Sequence, residues 1–397
     1  MPKVEIFGRN LSRRSALGLI AGAATAATPL ALRAAEPIKI GVALSLTGRF
    51  ADSALRIQDG YKLWADELNA QGGLAGSQVQ LIIYDDESNP DTGRVLAERL
   101  ISRDGVSIIL GPYSSPISDA VATACERAQV PLIATIASDA SIWARRNLTW
   151  SFQAFPSSDY DHEAFMEIIT KYDKSKPKLA IVFEETPFSV GAKNYAVKRA
   201  KELSIPVDTY GYAPGAQDFS SIVEHIIASG ATTVSMGGYL QPAIALTRVM
   251  IDRAYNPLGY HFILAAEDVT NSALGANANG VFGRSAWELG THNPMNPPFI
   301  KAFQAKFNRA PTYHSAVAYA GGQLIAAAIK AQGPDRTKVR DFLASQKVPT
   351  VLGDYKVNEK GQQTGYQYLL TQWQEGKRNI VGEGYDAKVL WPKPKWA

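Results

Sequence analysis

From Ile38 onward, short runs of β-branched and apolar residues alternate with longer stretches in which apolar positions recur every three or four residues. The short runs predict strands over 38–46, 79–84, 106–110, 131–135, 178–183, 232–236 and 261–265. Between them lie amphipathic segments. Over 54–70, for example, Ile57, Tyr61, Trp64 and Leu68 share one helical face. A strand-helix-strand rhythm of this kind predicts parallel sheets covered by helices on both faces.

The rhythm breaks in three places. Pro156 and two serines interrupt it over 152–159, and prolines and asparagines cluster over 287–298. Near Gly353 the pattern changes again, and 366–373 with 378–381 reads as a hairpin around Glu375-Gly376. The 362 residues after position 35 exceed what a single core holds. The expected fold is therefore α/β, with two doubly wound parallel-sheet lobes and a chain that passes between them three times. Lobe one is assigned 37–154 plus 287–357, and lobe two 155–286 plus 358–397.

The first 35 residues have a different texture. Lys3, Arg9, Arg13 and Arg14 precede an Ala-rich apolar stretch over 16–32, followed by the small residues Ala34 and Ala35. That order is expected of an export signal cleaved near Ala34 or Ala35, which places the mature protein in the periplasm. Ser12-Arg13-Arg14 and the weakly hydrophobic core fit the twin-arginine route. No later stretch approaches the ~18 apolar residues of a membrane helix. Of 41 basic and 37 acidic residues, five and one fall within positions 1–35, leaving 36 of each beyond. The net positive charge thus belongs to the leader, and the remainder has no basic footprint for nucleic acid. Cys125 is the only cysteine, and its apolar helical setting predicts a buried side chain.

Two local patterns carry binding chemistry. In Ser114-Ser115-Pro116, proline suits a first helical position, which predicts Ser115 as the N-cap of a helix following a strand. Such a helix start offers free N–H groups and a hydroxyl to a carboxylate. Asp85-Asp86 follows a strand and precedes Asn89-Pro90, which predicts turn and capping duty for both.

Further motifs, in order and spacing, resemble the periplasmic leucine/isoleucine/valine-binding proteins: 44–48 (LSLTG), 68–76 (LNAQGGLAG), 84–86 (YDD), 110–115 (LGPYSS) and 130–133 (VPLI). The likeness spans 38–373 and weakens after Ala310. It implies two lobes that close by a hinge on a small molecule, with the ligand's α-carboxylate held at Ser115, beside Ser114. It further implies ligand contacts from the loop holding Ala137 and Asp139, from Tyr239, and from Glu267, which would receive the ligand ammonium. Phe188 stands where a stacking tyrosine is usual, and Asp139 where threonine or serine is usual. With Glu267, that second acid suggests a ligand with a protonated nitrogen, unless Asp139 instead caps a helix beginning near Ala140. An amide or aromatic carboxylate is then the alternative.

The enzymatic signatures are missing from the sequence. His162, His225, His261, His292 and His314 are scattered outside Gly-x-Ser-x-Gly or His-Glu-x-x-His contexts, and no phosphate-binding glycine motif follows a strand. His314 matches a cleft-lining region of the family. The expected function is binding of a small amino-acid-like or amine-bearing acid for delivery to an ABC permease of the inner membrane. No metal or cofactor, no nucleic acid and a monomeric state are expected. A periplasmic sensor of the same fold is the alternative.

Overall fold

A computed structural model describes residues 36–397, so the leader expectations fall outside the described residues. The chain begins with β1 (Ile38–Leu44), α1 (Ala51–Ala70), β2 (Val79–Asp85), α2 (Pro90–Ser102), β3 (Ile108–Leu110), α3 (Ser115–Ala128), β4 (Leu132–Ala134), α4 (Ala140–Arg145) and β5 (Ser151–Gln153). The five strands form one parallel sheet in the order β2-β1-β3-β4-β5. β3, β4 and β5 are entirely buried, as both-face coverage of a parallel sheet requires.

After β5 the chain crosses to a second unit: α5 (Glu163–Tyr172), β6 (Leu179–Glu184), α6 (Pro187–Glu202), β7 (Val207–Tyr212), α7 (Ser220–Ser229), β8 (Thr233–Gly237), α8 (Leu240–Asp252), β9 (Gly259–Phe262), α9 (Asp268–Leu274) and β10 (Val281–Ser285). It then returns to the first lobe for α10 (Asn296–Phe307), α11 (Tyr313–Gln332), α12 (Arg336–Ser345), β11 (Val348–Thr350) and β12 (Gly353–Tyr355), and crosses a third time to the hairpin β13 (Leu369–Gln374) and β14 (Lys377–Val381). The second sheet runs β14-β13-β10-β9-β8-β6-β7, parallel except for that antiparallel hairpin at its edge.

Close packing ties α11 back onto the N-terminal sheet. A Cβ on Gly60 of α1 would stand 2.2 Å from the Ser315 carbonyl oxygen, so only glycine permits this approach. The crossing segments lie side by side, with Tyr366 and Tyr368 donating their hydroxyls to the carbonyls of Ala154 (2.5 Å) and Pro156 (2.7 Å). These hydrogen bonds tie the third crossing to the first.

The strand predicted over 261–265 is displaced. β9 ends at Phe262, and Ala265 and Glu267 donate their N–H groups to the carbonyls of Phe262 and Leu264 in successive turns. Those residues are apolar because they are buried at the floor of the cleft, and burial without period carries no strand signal. The aspartate pair has the expected turn duty but not the capping duty. Asp85 accepts from Thr47 and the Glu87 N–H, and Asp86 from Ser45 and the Ser88 N–H, while the cap of α2 is Asn89. Cys125 is buried.

Candidate functional site

The two sheets face each other across a cleft lined by the loops that follow their strands. From lobe one come Tyr113, Ser114, Ser115, Ile136 and Ser138, with Tyr313 and His314 from the start of α11; Phe155 lies at the first crossing. Lobe two supplies Phe188 at the start of α6, Gly238 and Tyr239 after β8, Ile263 and Leu264 after β9, and Arg284 on β10. The cavity between them measures about 30 Å³, room for water but not for a solute of amino-acid size. A wider hollow of about 620 Å³ shares Tyr113, Tyr239 and Leu264 with it and bears Arg49 and Arg248.

Helix α3 begins one residue earlier than expected. Ser114 adopts φ +80° and ψ 148°, a conformation that side chains other than glycine rarely occupy, and occupies the N-cap position in place of Ser115. Ser115 is therefore the first helical residue and Pro116 the second. Since Pro116 has no N–H and Ser118 bonds back to the Ser114 carbonyl (3.1 Å), the N–H groups of Ser115 and Ile117 are left without helical acceptors. The Ser115 hydroxyl accepts from the Asp139 N–H at 3.1 Å, which frees its own hydrogen to donate. Ser114 Oγ is buried without an aligned partner, although the Tyr239 hydroxyl approaches it from the other lobe. Together these groups form a donor-rich pocket for an anion.

Two acidic residues named from the sequence are engaged elsewhere. Asp139 is the N-cap of α4: its Oδ1 accepts from the Ser141 N–H at 2.9 Å, and the residue is absent from the cavity lining. Its carboxylate therefore serves the helix start and not the ligand side. Glu267 sits at the start of α9, also behind the lining, with Oε1 2.6 Å from His314 Nδ1 across the lobe boundary. The two atoms are close, but neither has an aligned hydrogen-bond partner. Burial pushes the Glu267 carboxyl up, but His314 above all, with Arg378 and Tyr313, more than offsets this and holds it below the usual glutamate range. Ala137 is fully buried behind the lining, its carbonyl accepting from Gln153 Nε2 at 2.9 Å.

Phe188 and Tyr239 do reach the cleft, their ring centres 6.0 Å apart. Tyr239 also packs on Phe50 of lobe one at 4.8 Å, and the Arg49 guanidinium covers its ring at 4.6 Å. Arg49 continues across the boundary to Glu184, 2.8 Å away and fully buried. A Cβ on Gly238 would lie 2.1 Å from the Tyr212 hydroxyl, so glycine lets the Tyr212 ring pack against this turn. Sequence reasoning missed Arg49, Glu184, Phe155, Tyr313 and Arg284. Only Arg284 left a trace, as a lone charge in an otherwise apolar strand. Among the described residues, no group of His, Cys, Asp or Glu is placed to hold a metal ion, and no helix is long and apolar enough to cross a membrane.

Two α/β lobes closing on a shared, donor-rich cleft define a solute-binding protein of the hinged, two-lobed class. The comparisons agree: residues 37–378 match the periplasmic binding protein family, and the chain belongs to that family. Among its relatives, the Leu/Ile/Val-binding protein homolog 1 of Brucella abortus is 26% identical over 348 residues, covering 85% of this chain and 91% of the relative. Solved folds match as well. A leucine-binding protein of Thermotoga maritima superposes with TM-score 0.79 at 19% identity, covering 87% of this chain and 98% of its own. A solute-binding protein of Rhodopseudomonas palustris, solved with benzoate, gives TM-score 0.78 at 19% identity, with 87% and 96% covered.

Proposed function

We propose that this chain captures a small amino-acid-like acid between its lobes in the periplasm and hands it to an ABC importer of the inner membrane. The observation that carries this reading is the strained turn at Ser114, which aims the start of α3 and two serine hydroxyls into a cavity that both lobes line. The ligand carboxylate sits there, and its body lies against Phe188 and Tyr239. Attraction by the helix dipole contributes only about 0.3–2 kcal/mol, whereas micromolar binding needs about 8 kcal/mol. Enclosure and several charge-assisted hydrogen bonds supply the remainder. The names of the Brucella and Thermotoga relatives support an amino acid.

A second reading, an aromatic carboxylate, is favoured by one specific observation. Five aromatic rings line the cavity, those of Tyr113, Phe155, Phe188, Tyr239 and Tyr313, and none of the lining residues is a carboxylate that would face an ammonium. A thermal-shift screen of amino acids, their amides and aromatic carboxylates separates the readings, because a tight ligand stabilises the folded form by mass action. Stabilisation by α-amino acids supports the first, and by benzoates alone the second; if no carboxylate stabilises the protein, both are wrong. The export route is tested separately. Replacing Arg13 and Arg14 with lysine should leave uncleaved precursor in the cytoplasm, and undiminished export would exclude the twin-arginine route.

A further inference from the structure

Arg284 is a cation on β10, an interior strand whose five residues are all buried. A charge in that position is costly unless its hydrogen-bonding groups are satisfied. One edge of the guanidinium is satisfied: Nε donates to Asp161 Oδ1 at 2.5 Å, and the Asp161 side chain is itself fully buried. The flat faces are covered by rings, with the guanidinium carbon 4.4 Å from the centre of Tyr368 and 5.3 Å from that of Phe155. Salt bridge and rings together fix the plane of the group. What remains is the far edge, where Nη1 is buried with no hydrogen-bond partner, on a residue that lines the cavity.

The rest of the lining sharpens the meaning of that free donor. Arg284 is the one residue of permanent charge on it, since Asp161, Asp139 and Glu267 all stand behind the wall. The start of α3, with Ser114 and Ser115, lines the same cavity from the other lobe. A carboxylate has two oxygens and about four lone-pair positions, so one anionic group can accept from the helix start and from a guanidinium edge at once.

We infer that Arg284 is the specificity-determining residue of lobe two, donating from its free edge to the same carboxylate that lobe one holds at Ser114 and Ser115. This rests on the proposed capture of a small acid, and adds how the acid is told from its neutral analogues. The contact exists only when the lobes are closed, so it is the kind of differential interaction that lets a ligand shift the open–closed balance. An amide of the same shape places an N–H₂ group or a neutral oxygen where the arginine requires a negative charge.

The test compares matched acids and primary amides, leucine with leucinamide and benzoate with benzamide, by calorimetry on the wild type and on Arg284→Gln combined with Asp161→Asn. The double change avoids leaving a buried carboxylate unpaired, and thermal unfolding checks that it folds. The wild type should prefer the acid of whichever pair it binds by about a hundredfold, and the double variant should lose most of that preference. Arg284→Lys provides a second reading if the double variant does not fold. A lysine that stays with Asp161 has no second edge, so acid affinity should fall at least about tenfold while amide affinity holds. A folded variant that keeps the wild-type preference overturns the inference and leaves Arg284 as the counter-ion of Asp161. A wild type that binds acid and amide equally also overturns it. A wild type that binds none of the acids fails at the earlier step, the capture of an acid, and takes this inference with it.

Discussion

Ser114→Gly should make the protein more stable and a poorer binder at the same time. At φ +80° and ψ 148° the serine Cβ is held where glycine alone is at ease, a cost of about 1–3 kcal/mol. Its Oγ is also buried without an aligned partner, which adds about 1–3 kcal/mol to the extent that water does not reach it. Glycine returns about 0.5–1 kcal/mol of this through the greater freedom of its unfolded chain. The net expectation is a gain of about 1–5 kcal/mol, toward the low end where water reaches the hydroxyl, visible in urea unfolding and as a rise of a few degrees in melting temperature. Ser114→Ala is the control, since it removes the hydroxyl but keeps a Cβ in the strained conformation. The difference between the two variants therefore isolates the backbone term at about 1–2 kcal/mol. Ligand affinity should fall about tenfold in both, for loss of a hydrogen bond to a charged group. A glycine variant no more stable than the alanine variant would show that the turn holds no strain, and unchanged affinity would remove Ser114 from the site.

Other perturbations test separate parts of the argument. Gly238→Ala places a Cβ within 2.1 Å of the Tyr212 hydroxyl, and Tyr212 is itself buried, so the β8–α8 turn that presents Tyr239 should shift; affinity should drop by about tenfold, and a structure with Tyr239 in place and only the Tyr212 ring moved would refute this. Arg49→Ala leaves buried Glu184 unpaired in the closed form, so the unliganded protein should shift toward a larger radius of gyration in small-angle scattering; adding Glu184→Gln should restore closure, and no change in either variant would deny the pair a role. Buried His162, bonded through Nδ1 to Ser235 at 2.7 Å, has its proton affinity lowered to about 3 by burial and by Arg284. Its neutral form contributes stability that is full above pH 6.5 and is lost as pH falls toward 3, about 2 kcal/mol between pH 7 and 5. Asp86 and Asp161, both raised to about 6, take up protons in the folded state over the same range and oppose the loss. The readout is therefore the difference from wild type: His162→Asn should make stability at pH 5, relative to pH 7, about 2 kcal/mol more favourable, and an unchanged difference refutes the assignment.

The strands rich in β-branched and apolar residues, such as 79–84 and 178–183, were legible to within a residue or so of the observed β2 and β6. β7 was not, because an edge strand reading Val-Asp-Thr-Tyr-Gly-Tyr mixes a turn former into a half-exposed face. β10 was hidden by Gly283 and Arg284, a charge that lines the cavity and pairs with Asp161. Within the site, the segments were readable and the side-chain directions were not. Whether Asp139 caps a helix or faces a ligand depends on one backbone angle. Whether Glu267 awaits an ammonium depends on His314, 47 positions later and on the other lobe. Partners so distant leave no local pattern, whereas a serine-serine-proline start does.

The contacts across the lobe boundary suggest why a hinge of this kind is reversible. Phe50 on Tyr239 is an apolar contact across it, and Arg49 with Glu184 and His314 with Glu267 are polar ones. A purely apolar boundary would gain about 25 cal/mol for every Å² it hides and would lose all of it on opening, holding the lobes shut. Charged pairs behave differently. What they gain from each other when closed is largely matched by the hydration they regain when open, so their net preference is small. A pair such as Arg49 with Glu184 therefore adds little to the bias toward the closed form, and a few kcal/mol is what one additional set of contacts to a carboxylate can decide. The cavity of about 30 Å³ fits this balance, since a solute must find the cleft open and the closed form must then accept it with the walls displaced. Capture and release thus depend on the same few polar residues, and a variant that locked the boundary with hydrophobic side chains would bind more slowly and surrender its cargo less readily.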